Sequence, residues 1–196
     1  MRVPTLVALG LSLSALAGAS TATAATDGSG QSASSSGGAR YGEQPSSNTP
    51  SETSPSQPTV PGSVGRIRAG LAYAPADAPV QVKKAIWAAN AIRNRPYVYG
   101  GGHGSFRSRG YDCSGTVSYA LHGGGLLRSP LDSGSFASWG QSGRGAWITV
   151  YTNPGHAYAI IAGLRLDTSG PGERGPRWRT QKRSASGFQA RHPVGY

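Results

Sequence analysis

The sequence has a single cysteine, Cys113, among its 196 residues. One cysteine forms no internal disulfide, which excludes a disulfide-stapled miniprotein, and it cannot build a multi-cysteine zinc or iron–sulfur site. Hydrophobic residues are also scarce, at 37% of the chain, below the roughly 45–50% of compact domains even allowing for the different counting of glycine. Part of the chain is therefore expected not to fold, and the length allows one ordinary domain of about 100–200 residues.

The sequence contains no apolar run of the about 20 residues that a membrane-spanning helix needs. Its N-terminal apolar stretch runs only from Leu6 to about Leu16, follows Arg2, and precedes Ala22-Thr23-Ala24, which fits a signal-peptide cleavage site. Residues 1–25 are therefore predicted to be a cleaved secretory signal peptide, in preference to an uncleaved anchor. The mature chain is expected to be secreted, to the cell wall or the extracellular space, without a transmembrane segment.

Residues 26–65 offer almost no side chains for a core. They consist mainly of Ser, Gly, Pro, Thr, Gln and Asn, a composition that does not offset the entropy of the chain. This segment is predicted to be a disordered linker. The folded domain is then predicted to span residues 66–196, with an Arg-rich C-terminal extension from about residue 170.

Acidic residues are scarce, since 8 Asp and Glu stand against 19 Lys and Arg, for a formal net charge of +11. Within residues 66–196 the balance is 17 basic to 5 acidic, a net charge of +12. On an exported domain this favours an anionic partner, such as wall teichoic acids, peptidoglycan carboxylates or lipid headgroups, and export disfavours nucleic acid. The alternative is a solvated basic surface without a partner.

The apolar pattern predicts helices first and strands afterwards. Asp77-Ala78-Pro79 is typical of a helix start, Pro96 ends that helix, and Thr116 to Leu121 favours a second one. Three strands are predicted further on, the last two joined by a tight turn at Ala162-Gly163: Trp147–Tyr151, His156–Ile161 and Leu164–Thr168. This order indicates an α+β domain. The segment after Gly170 is expected to wrap around the domain without regular structure.

The position of Cys113 favours a chemical role. It lies where a glycine-rich loop enters the second predicted helix, and the N-terminus of a helix stabilises a thiolate. A nucleophilic cysteine needs a base, usually histidine, and His156 opens a predicted strand after the Asn153-Pro154-Gly155 turn. In the next strand, Asp167 is expected on the same face as His156, directly opposite or one diagonal apart, where it can orient the imidazole. A small buried cysteine is the alternative.

Three sequence blocks resemble the NlpC/P60 family of cysteine peptidases: Pro96-Tyr97-Val98-Tyr99-Gly100-Gly101, Tyr111-Asp112-Cys113-Ser114-Gly115, and Gly155-His156 at the start of a strand. The resemblance covers about residues 80–170. It implies a papain-like α+β core, in which a helix that bears Cys113 packs on an antiparallel sheet that bears His156. It also implies hydrolysis of peptide bonds in peptidoglycan stem peptides, without metal or cofactor.

The same resemblance assigns roles to individual residues. Cys113 is expected to be the nucleophile and His156 the general base, and Asp167 would be the third residue, where the family more often uses His, Asn or Gln. The backbone N–H of Cys113 would stabilise the oxyanion. The remaining expected site residues would bind substrate, and they are Tyr97, Tyr99, Asp112 and Ser114.

Other functions stay open at this stage. An amidase or acyltransferase on the same scaffold would use the same cysteine and histidine, and a non-catalytic wall-binding module would need neither. A zinc site formed by His103, Cys113 and His122 is disfavoured, because the sequence has no paired-ligand spacing.

Overall fold

The computed structural model describes residues 57–172 and 175–196. All of them belong to one structural unit, Thr49–Tyr196. The predicted signal peptide and the linker up to residue 56 lie outside the described residues. Within the described part, no helix is both long enough and apolar enough to cross a bilayer.

Two α-helices, one short 3-10 helix and nine strands are found in the described residues. In chain order they are β1 (Thr59–Val60), β2 (Arg66–Arg68), β3 (Leu71–Pro75), α1 (Val80–Ile92), α2 (Cys113–Gly123), the 3-10 helix (Ser135–Ser138), β4 (Gln141–Ser142), β5 (Ile148–Asn153), β6 (His156–Ile161), β7 (Leu164–Asp167), β8 (Arg177–Arg179) and β9 (Gln189–His192). The first helix begins later than predicted. Its N-cap is Pro79 and not Asp77, because the extended backbone of Pro79 (ψ 151°) delays the first helical turn.

The linker was predicted to extend through residue 65, but ordered structure begins earlier. Strand β1 pairs in parallel with β3, which also pairs with β2 in the opposite direction. Val60 is buried, and the carbonyl of Pro58 accepts a hydrogen bond from Nε1 of Trp87 at 3.2 Å. The predicted boundary is therefore too late, because backbone pairing and a single buried valine anchor this polar segment.

The main sheet has six strands in the order β4-β9-β5-β6-β7-β8, and its β5, β6 and β7 form the predicted antiparallel meander. Ala162 and Gly163 join strands β6 and β7. Both residues have positive φ (46° and 81°), which lets a two-residue turn follow the twist of the two strands.

The expectation for the segment after Gly170 is wrong. Strand β8 pairs with β7, and β9 pairs between β4 and β5, so this segment completes the sheet on both sides.

The two helices pack together, α2 packs on β6 and β7 of the main sheet, and α1 packs on β3. Strand β6 shows the alternation, since Ala157, Ala159 and Ile161 face the core while Tyr158 and Ile160 face away from it. The predicted α+β arrangement is confirmed: the helix that bears Cys113 packs on the antiparallel sheet that bears His156.

Candidate active site

Cys113 is the first residue of α2, and Asp112 is the N-cap of that helix. The first bond within the helix runs from the N–H of Thr116 to the carbonyl of Asp112, at 3.0 Å. The N–H groups of Cys113 and Ser114 therefore have no acceptor within the helix, as in any first helical turn. The thiol itself is buried, with 8% of the residue exposed. Cys113 thus lies at the electropositive end of a helix.

The carboxylate of Asp112 organises the loop in front of Cys113. Oδ1 accepts from the N–H of Gly115 at 2.8 Å and Oδ2 from the N–H of Gly100 at 3.1 Å. Nε2 of His103 lies 2.9 Å from Oδ2 of Asp112 and 2.9 Å from Oγ of Ser114. These bonds link the glycine-rich loop to the first turn of α2, so they hold the backbone on both sides of the cysteine.

His156 connects the cysteine to a carboxylate. Its Nε2 lies 2.9 Å from Oδ1 of Asp167, which leaves Nδ1 for the thiol. Burial of the Cys113 thiol opposes ionisation, but hydrogen bonds with the His156 ring and the Ala157 backbone N–H outweigh it, so the pKa of the thiol lies below its ordinary value. The thiolate is thereby favoured.

The imidazole shows the complementary effect. Burial opposes the charged form of His156, yet the hydrogen bonds with Asp167 and Cys113 raise the pKa of the imidazole from 6.5 to about 9. Burial would also raise the pKa of Asp167, but its bond with His156 and the backbone N–H of Ser169 hold that pKa below its ordinary value. The arrangement therefore favours a thiolate–imidazolium pair beside an ionised carboxylate.

Three further side chains hold the carboxylate of Asp167. The N–H and Oγ of Ser169 donate to Oδ1 at 2.9 and 3.0 Å, and Nη1 of Arg183 donates to Oδ2 at 3.2 Å. Nε of Arg165 lies 3.5 Å from the same Oδ2. Because Asp167 is only 1% exposed, these cations and donors offset the cost of burying its charge.

A cleft opens on both sides of the catalytic candidates. A cavity of about 410 Å³ is lined by Cys113, Tyr97 and Tyr99, and one of about 300 Å³ is lined by Tyr97 and His156. Tyr97 therefore borders both cavities, while Tyr99 is 91% exposed at the mouth of the first. Open space therefore lies beside both the thiol of Cys113 and the imidazole of His156.

The structure brings Cys113, His156 and Asp167 together: His156 contacts Asp167 at 2.9 Å, and its imidazole lowers the pKa of the Cys113 thiol. Asp112 and Ser114 border the Cys113 cavity but are buried, at 3% and 1% exposure, with their polar atoms in internal hydrogen bonds. Among the described residues, no group of three or more His, Cys, Asp or Glu side chains is arranged to hold a metal ion.

Sequence reasoning did not single out Ser169 or Arg183 as site residues, and it named His103 in the disfavoured zinc site. Ser169 could have been found, because a serine two residues after an aspartate often bonds back to its carboxylate. Arg183 lies in the Arg-rich segment that has no periodic pattern, so nothing in the sequence indicated its contact with Asp167.

No protein-family model and no curated protein sequence matches the chain. Similar solved structures include the peptidoglycan hydrolase RipB from Mycobacterium tuberculosis, with 21% identity over 59% of this chain and 66% of that one, at a TM-score of 0.47. A mutated form of the resuscitation-promoting-factor-interacting protein RipA is similar at 23% identity over 68% and 73% of the two chains, with a TM-score of 0.46. RipD from M. tuberculosis, described as a non-catalytic NlpC/p60 domain protein adapted to peptidoglycan binding, has 19% identity over 59% of this chain and 98% of that one, with a TM-score of 0.44.

The chain spans about two thirds of the length of RipB. These structural neighbours are NlpC/P60 domain proteins, the family that the sequence motifs resemble, and the likeness concerns the fold alone.

Proposed function

We propose that the protein is a secreted cysteine peptidase of the NlpC/P60 type that hydrolyses peptide bonds in peptidoglycan stem peptides. One observation carries the proposal: the thiol of Cys113, the imidazole of His156 and the carboxylate of Asp167 form a chain in which the thiolate–imidazolium pair is favoured. A nucleophile, a base and an orienting group in this order are the parts of covalent acyl transfer.

The reaction follows from this geometry. The Cys113 thiolate attacks the carbonyl carbon of the scissile amide, and the oxygen becomes an oxyanion that the first N–H groups of α2 can stabilise. Nδ1–H of His156 protonates the leaving nitrogen, so the C–N bond breaks and a thioester remains. Neutral His156 then takes a proton from water, whose oxygen attacks the thioester and releases the acid and the thiolate.

Two groups of residues have different roles in this proposal. Tyr97 and Tyr99 line the cleft and are accessible, which supports contact with the stem peptide. Asp112 and Ser114 are buried and bonded to His103, which supports a role in holding the cleft wall. The backbone near Cys113 is thereby kept in place for the attack.

The proposed setting is the cell wall. The predicted signal peptide of residues 1–25 and the predicted linker support export on a flexible tether. The net charge of +12 within residues 66–196 supports attraction to anionic wall polymers.

The test is mass spectrometry of the soluble products released from purified peptidoglycan. The wild type is expected to release stem-peptide fragments with new amino and carboxyl termini, and Cys113→Ala is expected to release none. Circular dichroism of both proteins checks that the substitution leaves the fold intact. Equal release by the two proteins would overturn the assignment.

The same products separate the alternatives. Cleavage between sugar and peptide identifies an amidase, and transfer of the acyl group to an added amine identifies an acyltransferase. A wall-binding module would sediment with insoluble peptidoglycan, release nothing, and leave Cys113 inert to iodoacetamide near neutral pH.

A further inference from the structure

A further cavity, of about 460 Å³, lies on the face of the main sheet opposite α2. Its floor is formed by Tyr151, Tyr158 and Ile160, and its wall by the segment between β8 and β9. It does not include Cys113 or His156. We call it the basic pocket because five of its lining residues are cationic: Arg144, Arg165, Arg179, Lys182 and Arg183.

The described lining of the basic pocket carries cations but no carboxylate. Among the described residues, Asp167 contacts two of the lining cations, and its carboxylate is shared between His156, Arg165 and Arg183. A cavity with several converging cations and low-dielectric walls concentrates anions.

Arg165 provides the strongest single indication. It is only 6% exposed, so its cation is largely removed from water. Its Nε makes no hydrogen bond, and the closest carboxylate oxygen, Oδ2 of Asp167, is 3.5 Å away. Arg165 shares this carboxylate with His156 and Arg183, so its buried charge is only partly compensated, and a bound anion would lower the remaining cost.

The sheet register adds a second observation. Arg165 pairs directly with Arg179 across β7 and β8, and like charges in that position repel each other. Arg183 adds a third cation, and it uses only Nη1 for its hydrogen bonds, to Asp167 and Ser169. Its guanidinium lies over the rings of Tyr158 and Phe188, at 5.2 Å from each centroid, which holds it at the pocket.

We propose that the basic pocket binds a phosphate group, either as free phosphate or as part of a phosphodiester polymer. Arginine forks match the tetrahedral oxygens of phosphate, and several cations suit its charge better than that of a carboxylate. The cavity of about 460 Å³ has room for an attached sugar or polyol.

The experiment is isothermal titration calorimetry with inorganic phosphate, poly(glycerol phosphate) and acetate at constant ionic strength. The protein carries Cys113→Ala, so the result does not depend on peptidase activity. Arg144→Ala and Lys182→Ala each remove an exposed cation of the pocket without touching a described hydrogen bond. Arg128→Ala is the matched control, because Arg128 is exposed and does not line the pocket.

We expect saturable binding of at least one phosphate probe and much weaker binding of acetate. Each pocket variant should weaken phosphate binding about tenfold, as expected for one charged hydrogen bond, and Arg128→Ala should leave it unchanged. If inorganic phosphate and poly(glycerol phosphate) bind with equal affinity per phosphate unit, free phosphate is a sufficient ligand. If only the polymer binds, the ligand is a phosphodiester chain. Absence of saturable phosphate binding, or equal losses in Arg128→Ala and the pocket variants, would overturn the proposal.

Discussion

Nε2 of His156 lies 2.9 Å from Oδ1 of Asp167, across the neighbouring strands β6 and β7. The register pairs Ala159 with Leu166, so the two side chains are one diagonal apart on the same sheet face. This bond leaves Nδ1 of the imidazole for the Cys113 thiol. The hairpin therefore sets both the position and the tautomer of the proposed base.

Replacement of Asp167 by asparagine is expected to lower the pKa of His156. The value of about 9 depends on the charge of Asp167 as well as on the thiol, so Asp167→Asn should move it towards 6.5. NMR titration of the His156 imidazole measures this change. Asp77→Asn removes an exposed carboxylate elsewhere and should leave the midpoint unchanged. The same midpoint in wild type and Asp167→Asn would contradict the electrostatic account.

The reactivity of Cys113 is expected to persist at low pH. Because the pKa of its thiol is lowered, the thiolate should remain as the pH falls below the ordinary thiol range, and be lost only below the shifted pKa. In His156→Ala the thiol loses its partner, so alkylation should require a higher pH and peptide hydrolysis should fall about 10²- to 10⁴-fold.

Mass spectrometry of iodoacetamide labelling measures this pH profile. Cys113 is the single cysteine of the chain, so every labelled thiol reports on the site. Hydrolysis by the wild type should also fall as the pH rises through about 9, because the imidazolium that protonates the leaving nitrogen is lost. Identical labelling profiles for wild type and His156→Ala would argue against the pair.

Arg183 is expected to act as a positioning residue for Asp167. Arg183→Gln removes the 3.2 Å bond to Oδ2 and should lower kcat about 3- to 10-fold with little change in KM, equivalent to about 1 kcal/mol. Arg183→Lys keeps the charge and should restore part of the loss. Arg128→Gln serves as the control. An effect on KM alone would instead indicate that Arg183 contacts substrate.

Asn90 is expected to be important for stability. Its Oδ1 accepts from the N–H of Ala72 and from Nε1 of Trp178, at 3.0 and 2.9 Å, and its Nδ2 donates to the carbonyl of Ala72 at 2.8 Å. Asn90→Ala leaves these buried groups unpaired and should lower the free energy of unfolding by about 3 kcal/mol or more. Urea unfolding measures the loss, and the exposed Asn94→Ala should change it by less than about 0.5 kcal/mol.

Local sequence patterns were enough to predict several parts of the site. The loop-to-helix junction predicted Cys113 at the start of a helix, and the two-residue turn at Ala162-Gly163 predicted that His156 and Asp167 share a face. Such predictions succeed because helical spacing, strand alternation and hairpin register depend on residues that are near one another in the chain.

By itself, then, the sequence determined the two helices followed by the β5–β7 meander, the single thiol and the strand pair that bears its proposed partners, but not the three strands before α1. Only the tertiary structure decided that β9 inserts between β4 and β5, that Arg183 reaches Asp167, and that Arg165 and Arg179 share one pocket. The physical reason is distance along the chain. These contacts join segments rich in Arg and Gly that have no hydrophobic period, so their partners are selected by packing and charge after the sheet has formed.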